Sequence, residues 1–433
     1  MHKPPVGDPN KNIDSHRAPV RRRSVFRALG PGLVTGAADD DPSGIATYSQ
    51  VGAQFGYGLS WTMLFGYPLL VSIQAVSAEI GSVTGKGVAQ NLRQHYPAWL
   101  LRAVVLLLLV ANVINLGANL GAMGAALGLL IGGQVIFYAA IFAAICVLLE
   151  VFISYNRYAS ILKWATLSLF AYVAVVFVVD VPWNEAIRAI VVPTFTFDSA
   201  HAMALVAILG TTISPYLFFW QAGQEVEEQH RRHVKPLHIS PRKAGPELRR
   251  IRFDTLVGMG FSHLTALFIV IATAATLHAN GITNVESSAQ AAEALRPVAG
   301  DFAFALFAMG IIGTGMLAVP ILAGSAAYAV SESFGWVEGL DRQPREAKAF
   351  YATIAAATLA GLLLNYIGVD PIKALYWAAV VNGVLAAPLM AVMMLIASNP
   401  AVMKKLVIGR RLKVGGWFAT AVMAAVTMIF FFI

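Results

Sequence analysis

Charge is what this chain has least of. Of its 433 residues only 12% are Asp, Glu, Lys or Arg, against about 25% in an ordinary soluble domain. Apolar residues make up 58%, and the mean hydropathy is +0.67. A soluble protein of this length needs far more polar surface, so a soluble globular enzyme is excluded, and disorder with it. Cysteine is nearly absent. The single Cys146 rules out an intrachain disulfide and a thiolate metal cluster, and its apolar surroundings in sequence read as inert packing. A signal peptide is missing too. Residues 1–27 are polar and basic (Arg21, Arg22, Arg23, Arg27) and lack a short apolar core with a small-residue cleavage pattern, so they read as a cytosolic tail. Acids are the scarcer sign, 23 against 31 Lys and Arg, for a net charge of +8. That balance raises the possibility of a nucleic-acid partner, which the placement of the charges decides.

What the chain has instead is long apolar runs. Residues 103–149, 255–285, 302–331, 349–369, 374–403 and 414–433 carry no charge at all. A helix needs about 20 apolar residues to cross a bilayer. On that basis eleven spans are expected, at 30–55, 60–84, 99–130, 135–154, 159–180, 201–229, 253–279, 302–333, 348–367, 372–397 and 414–433. With the tail inside, 28 of the 31 Lys and Arg fall on the cytosolic side, and only Arg188, Arg296 and Lys373 on the other. This is the positive-inside pattern. It predicts a cytosolic N-terminus and an outer C-terminus, and the compact loops point to the inner membrane of a bacterium. The basic stretch 231–252 lies between two spans with little aromatic interleaving, so topology accounts for it and no nucleic-acid partner is expected. The lipid bilayer is the partner the composition demands, and no obligatory protein partner is evident.

In such a chain an ionisable or helix-breaking residue inside a span is the feature that requires a reason. Span 1 places Asp39, Asp40 and Asp41 in mid-segment, followed by Pro42, Ser43 and Gly44. Each carboxylate costs roughly 2.5–3.5 kcal/mol at a helix centre on insertion scales, and three together call for a compensating cation. Adjacent residues of a regular helix point about 100° apart, so the three acids cannot converge on one. Proline removes a backbone donor and pushes its predecessor out of helical geometry, while glycine lets the chain turn. The expectation is a helix broken beside Asp41, with free carbonyls next to carboxylates: a cation site. Reading the Asp run as an external loop instead leaves 28–38 too short to cross the membrane.

Span 6 repeats the device with Thr211, Thr212, Ile213, Ser214, Pro215 and Tyr216. One proline in a span is a kink. Interrupted segments opening two successive sets of five helices point to a transporter binding site between inverted halves. The predicted organisation is a tail at 1–27, a first five-helix repeat at 28–182, and a second, inverted repeat at 198–398 with a cytosolic loop at 230–250. An extra C-terminal helix at 399–433 completes it. Both breaks offer carboxylates, hydroxyls (Ser43, Thr47, Thr211, Thr212, Ser214, Tyr216) and carbonyls, with no Met, Cys or His. Oxygen ligands favour magnesium, calcium or manganese, and a roomy site retaining waters suits magnesium. Elsewhere the features are weaker. Glu79 reads as an interface marker, and Glu225, Glu227 and Glu228 as a solvated helix end. Asn112, Asn115, Asn119 and Asn382 read as cross-helix hydrogen bonders, and His201 and His263 as structural. Gly117, Gly121, Gly124 and Gly128 form a small-residue packing face.

Taken together, Gly30-Pro31 through Asp41-Pro42 and Ala46-Thr47, then Gly52-Ala53-Gln54-Phe55-Gly56-Tyr57, resemble the first helix of the Nramp family of divalent metal transporters. Ser77-Ala78-Glu79-Ile80-Gly81 with Thr84-Gly85-Lys86 resembles the end of that family's second helix, and Leu209 through Pro215 its sixth. The likeness runs over essentially all of the chain after residue 27. It implies an all-α polytopic membrane protein of LeuT-type fold, with two inverted five-helix repeats, broken helices 1 and 6, and divalent metals carried into the cytosol. It also implies Asp41 as the metal-binding carboxylate and Thr211 as the residue whose backbone carbonyl joins it. The departures matter. The family's Asp-Pro-Gly-Asn reads here Asp41-Pro42-Ser43-Gly44, and its Met-Pro-His reads Ser214-Pro215-Tyr216. The helix-3 Asp-x-x-Glu pair of the proton path falls on Ala118 and Gly121. Loss of sulfur removes the preference for manganese and iron, and loss of the proton groups puts coupling in question, a pattern resembling the Nramp-related magnesium transporter branch.

The resulting expectation is a transporter or facilitator, with no enzymatic role and no cofactor, moving chiefly Mg2+ and also Mn2+ by alternating access without proton coupling. Its metal site comprises Asp41, Thr211, Ser214, Asp40, Asp39 and Gly44. The rival is a proton-coupled Mn2+ or Fe2+ importer in which Asp39 or Asp40 takes the proton. An amino-acid carrier on the same fold needs no three adjacent acids. A membrane enzyme or receptor finds no support in any intramembrane zinc motif, nucleophile elbow or cytosolic catalytic domain.

Overall fold

The computed structural model describes residues 30–153, 168–196 and 198–433. The described residues are almost entirely helical. The first span is two half-helices, α1 (Pro31–Asp39) and α2 (Pro42–Phe55), interrupted at Asp40 and Asp41. Then come α3 (Trp61–Thr84), the short α4 (Val88–His95), α5 (Ala98–Ile131) and α6 (Val135–Phe152). The first part of the predicted span 159–180, residues 159–167, lies outside the described residues, which include its α7 (Phe170–Val178), followed by the amphipathic α8 (Trp183–Val191). The sixth span is again split, into α9 (Ser199–Thr212) and α10 (Pro215–Arg231). The long helices α11 (Pro241–Thr276), α12 (Ala303–Phe334), α13 (Lys348–Leu364), α14 (Pro371–Ser398) and α15 (Arg410–Phe432) complete the chain.

Nine helical runs among the described residues are long and apolar enough to cross a membrane. The two halves of span 1 are each too short to qualify alone, at 9 and 14 residues. Proline at the first helical position starts α1, α2, α10, α11 and α14, where its missing N–H costs nothing. One boundary differs from expectation. Helix α11 begins at Pro241, not near 253, so the basic stretch 242–252 is helix that extends the span and only 232–240 is loop.

Lipid supplies no hydrophobic drive between helices, so they meet through small residues that let backbones close in. Helices α1 and α11 cross in this way: a Cβ on Gly36 would stand 2.2 Å from the Gly258 carbonyl oxygen, and a Cβ on Gly258 would stand 2.2 Å from that of Gly32. Gly210 of α9 meets the Ala379 carbonyl and Gly383 of α14 equally closely. On α5, Gly117 and Gly124 serve the predicted packing role against the Gly361 and Val135 carbonyls, while Gly128 has only loose neighbours. The ends of the helices that carry the basic segments come together on one face. There Leu237 and His238 donate their N–H groups to the Ser82 and Val83 carbonyls, and Asn399 donates to the Tyr96 hydroxyl.

Because backbone faces backbone at the α1–α11 crossing, no flexible neighbour can yield to an added side chain. Gly258→Val is expected to destabilise by at least the roughly 1–3 kcal/mol of ordinary overpacking. A fall of several degrees in the unfolding temperature of the detergent-purified protein is the measurement that checks it.

Candidate metal site

Both breaks follow from local proline chemistry. Asp41 and Ser214, each preceding a proline, are extended (φ −74°, ψ 169° and φ −74°, ψ 125°), the conformation the ring imposes on its predecessor. Asp41 then caps the helix that follows it. Its Oδ1 accepts the Gly44 N–H at 2.8 Å and the Ser43 hydroxyl at 2.6 Å. An aspartate at this position satisfies an orphan donor and interacts favourably with the helix dipole. Its other oxygen, Oδ2, accepts the side-chain amide of Asn119 on α5, at 3.3 Å.

The two breaks meet. The Ser43 and Thr211 hydroxyl oxygens lie 3.4 Å apart, and the Tyr216 hydroxyl donates to the Ala38 carbonyl at 3.4 Å. Ser214 turns its hydroxyl back along α9, donating to the carbonyls of Gly210 (3.0 Å) and Thr211 (2.8 Å). The Thr211 carbonyl retains a lone pair for a cation. Asp41, Thr211 and Ser214 are thus linked through Ser43 and the Thr211 carbonyl where the two breaks adjoin. Asp39 and Asp40 point elsewhere. The Ser262 hydroxyl of α11 lies 2.7 Å from Asp39 Oδ2 and 3.0 Å from Asp40 Oδ1. Among the described residues no three acidic, histidine or cysteine side chains converge as a metal cage. All three acids are buried, and Asp39 Oδ1 has no hydrogen-bond partner among the described residues.

Gly44 plays a different part from the one expected. The chain turns at Asp40 (φ −80°, ψ 49°) and Asp41, while Gly44 is helical and gives its N–H to Asp41. What it supplies is space: a Cβ there would stand 3.2 Å from the Tyr48 ring, 3.4 Å from the Asp39 carbonyl and 3.5 Å from the Thr211 hydroxyl. Asn119, expected as a cross-helix hydrogen bonder, makes that bond to Asp41 itself. Ala118 and Gly121, on which the resemblance places the helix-3 pair, flank it without any side-chain oxygen. Asn112 donates to the Leu322 carbonyl, and Asn115 and Asn382 pair reciprocally, as cross-helix bonding predicts.

Several readings at the basic face are corrected. Glu79 is no interface marker. It is 1% exposed and ion-paired to Arg252 at 2.5 Å. Glu225 and Glu227 are buried, not a solvated end. Glu225 faces Arg250 at 3.6 Å, and Glu227 accepts from the Leu340 N–H and the Tyr328 hydroxyl. Beyond the spans, burial together with the nearby Glu332 and Glu227 carboxylates pushes the Glu338 carboxyl up to about 9. His201 pairs with Asp198, the N-cap of α9, whose carboxyl is held below its usual value by the His201 N–H. His263 is buried against Tyr67, with neither ring nitrogen partnered among the described residues. Cys146 is buried beside the Met316 sulfur, the packing role expected of it. Asp254, which the sequence gave no reason to single out, caps α1 from α11, accepting the N–H groups of Gly30 (2.9 Å), Gly32 (2.8 Å) and Leu33 (3.2 Å).

Two interrupted helices meeting at their breaks around buried carboxylates, within a bundle of membrane-length helices, define a LeuT-type membrane protein. The solved structures agree on the fold. An Eremococcus coleocola manganese transporter aligns with a TM-score of 0.75 and 16% identity over 94% of this chain and 86% of that one. The inward-facing structure of Mhp1 aligns at 0.51 and 14%, covering 93% and 90%. At the level of sequence, residues 32–432 match the family described as natural resistance-associated macrophage protein-like, Nramp, and the chain belongs to that family. The divalent metal cation transporter MntH of Klebsiella pneumoniae (strain 342) is 26% identical over 424 residues, 96% of each chain. The protein of the same name from Yersinia pestis (strain Pestoides F) is 25% identical over 320 residues, covering 70% of this chain and 72% of that one.

The cap on α1 yields a prediction. Asp254→Ala removes the carboxylate that accepts three amides at the start of α1. It is expected to destabilise the protein by about 1–3 kcal/mol, read as a lowered unfolding temperature that Asp254→Asn partly restores.

Proposed function

We propose that this protein carries divalent metal cations across the bacterial inner membrane into the cytosol by alternating access, with Mg2+ as its chief cargo and Mn2+ also accepted, without proton coupling. The N-terminus is cytosolic and the C-terminus outside. Membership of the Nramp family supports transport of a divalent cation. The observation that carries the finer reading is the donor set at the meeting of the two breaks. Asp41, the Thr211 carbonyl and the hydroxyls of Ser43, Thr211 and Ser214 offer oxygen alone, with one carboxylate at the centre and two others held on Ser262. Soft thioether and imidazole ligands, which favour transition metals, stand in neither break. A single central carboxylate among neutral oxygens suits an ion that keeps several of its waters, as magnesium does.

In this reading Asp41 is the central ligand, Thr211 and Ser214 complete the shell from the second break, and Asp39 and Asp40 attract the ion. Gly44 keeps the space open beside Thr211 and Asp39. The two repeats at 28–182 and 198–398 supply one break each. A second reading is proton-coupled import of Mn2+; its choice of metal is favoured by the name of the Eremococcus coleocola manganese transporter, whose structure this fold resembles.

Proteoliposome uptake separates the two. Mg2+ influx that leaves the lumenal pH unchanged is the expected result, and Asp41→Ala is expected to reduce it to background. Mg2+ influx that persists in Asp41→Ala would remove Asp41 from the site. Mn2+ entry with lumenal acidification, and no Mg2+ entry, would establish the second reading instead.

A further inference from the structure

Asn119 is fully buried on α5, and the two halves of its side-chain amide face different surroundings. Its Nδ2 donates to the Asn115 backbone carbonyl at 2.9 Å and to Asp41 Oδ2 at 3.3 Å. Both of those atoms are acceptors, the first a backbone carbonyl that can do nothing else. The amide is therefore oriented by its partners, nitrogen toward them and oxygen away. That oxygen, Oδ1, has no hydrogen-bond partner among the described residues. A buried acceptor left without a donor is costly, and native structures retain few of them without a reason.

The neighbouring atoms supply the reason. Asp41 commits Oδ1 to capping α2, through Gly44 and Ser43, and leaves Oδ2 with the one Asn119 contact. The carboxylate Oδ2 and the amide Oδ1 are thus acceptor oxygens on adjoining groups, linked through the hydrogen bond of the Asn119 amide nitrogen. Asn119 Oδ1 has no donor among the described residues, and Asp41 Oδ2 keeps a lone pair beyond its Asn119 contact, an arrangement that a cation, or a water held by one, satisfies. We propose that the side-chain oxygen of Asn119 is a further ligand of the transported cation, contacting it directly or through one of its retained waters. This rests on the reading of Asp41 as the central ligand. As a neutral ligand on α5, the amide adds an oxygen to the shell without adding a fourth negative charge to a cluster that already holds three. It also means that the site draws on a third helix besides the two broken ones.

Isothermal titration of the detergent-purified full chain with Mg2+ and with Mn2+ tests this, alongside the unfolding temperature measured without metal. Asn119→Leu removes both the donor and the oxygen and is expected to weaken Mg2+ binding by about 10- to 100-fold. Asn119→Asp keeps an oxygen and loses the donor, and is expected to bind within about threefold of the native protein or more tightly. Unchanged affinity in Asn119→Leu overturns the proposal. So does equal weakening in both variants, because Asn119 is then a strut that positions Asp41 through its donor. If Asn119→Leu unfolds at a lower temperature without metal, Asn119→Ala takes its place with the same expectations. Asp41→Ala is run in parallel. Native-like binding there defeats the parent reading, whereas lost binding there with unchanged binding in Asn119→Leu defeats only the role of Asn119.

Discussion

A bilayer core offers no water to satisfy a polar group, so any helix broken inside it must close its own loose ends. The rest of this structure depends on how Asp41 meets that constraint. One of its carboxylate oxygens caps the half-helix that starts at Pro42, and the other is left facing α5. The break therefore costs little backbone satisfaction, and half of a buried carboxylate remains available. The second break closes in another way. Ser214 returns its hydroxyl to the Gly210 and Thr211 carbonyls of the preceding half-helix. One break thus presents a charged acceptor and the other a neutral one, and the shapes of the two half-helix ends bring them face to face.

Helix α11 holds the first half-helix at both ends. Asp254 caps the start of α1 and Ser262 binds the two acids at its finish, while Gly36 and Gly258 bring the backbones into contact between them. Against α5, by contrast, the Asp–Asp–Asp segment is tied through the single Asn119 contact of 3.3 Å. A rearrangement that keeps α1 on α11 and shifts the pair relative to α5 breaks far less than one that peels α1 away. The ion pairs at the basic face add to the same side of the balance, since Arg252 and Arg250 of α11 reach Glu79 of α3 and Glu225 of α10. Two-state rocking of packed groups about a fixed site is what alternating access requires.

The breaks were legible in the sequence because proline acts on its immediate neighbour: Asp41-Pro42 and Ser214-Pro215 dictate extended residues wherever the chain folds. The spans were legible because bilayer thickness fixes their length, and only the start of α11 was misplaced, since its first three turns are polar helix outside the apolar run. The partners of the acids were not legible. Ser262, Asp254 and Asn119 lie from 78 to 224 residues away from the groups they bind, and nothing local announces such pairings. The acids Glu79, Glu225 and Glu227 were misread for a related reason: each ends an apolar run, as a solvated helix end does, but basic residues of α11 and the segment after α12 fold over them. Gly44 was assigned the turn because glycine permits one, whereas the chain turns at Asp40 and Asp41 and uses the glycine for room beside Thr211. The family resemblance supplied Asp41 and Thr211. It could not supply Asn119, because the family's pattern draws the eye to the flanking positions.

The distribution of counter-charges completes the physical case. Among the described residues, every ion pair lies toward a helix end, joining Glu79, Glu225, Glu228, Glu247, Glu286, Glu293 and Asp198 to their bases, and none involves Asp39, Asp40 or Asp41. Burying three neighbouring carboxylates without a cation carries a heavy desolvation cost that hydroxyls offset only in part. The protein has therefore placed its basic residues where topology needs them and left the centre short of positive charge. A divalent cargo ion supplies what is missing. In the proposed site, where the two broken helices and α5 meet, its binding energy would stabilise whichever arrangement brings those three elements together. On this account cargo is a structural component of the closed site, and the scarcity of charge elsewhere in the chain is what makes that component effective.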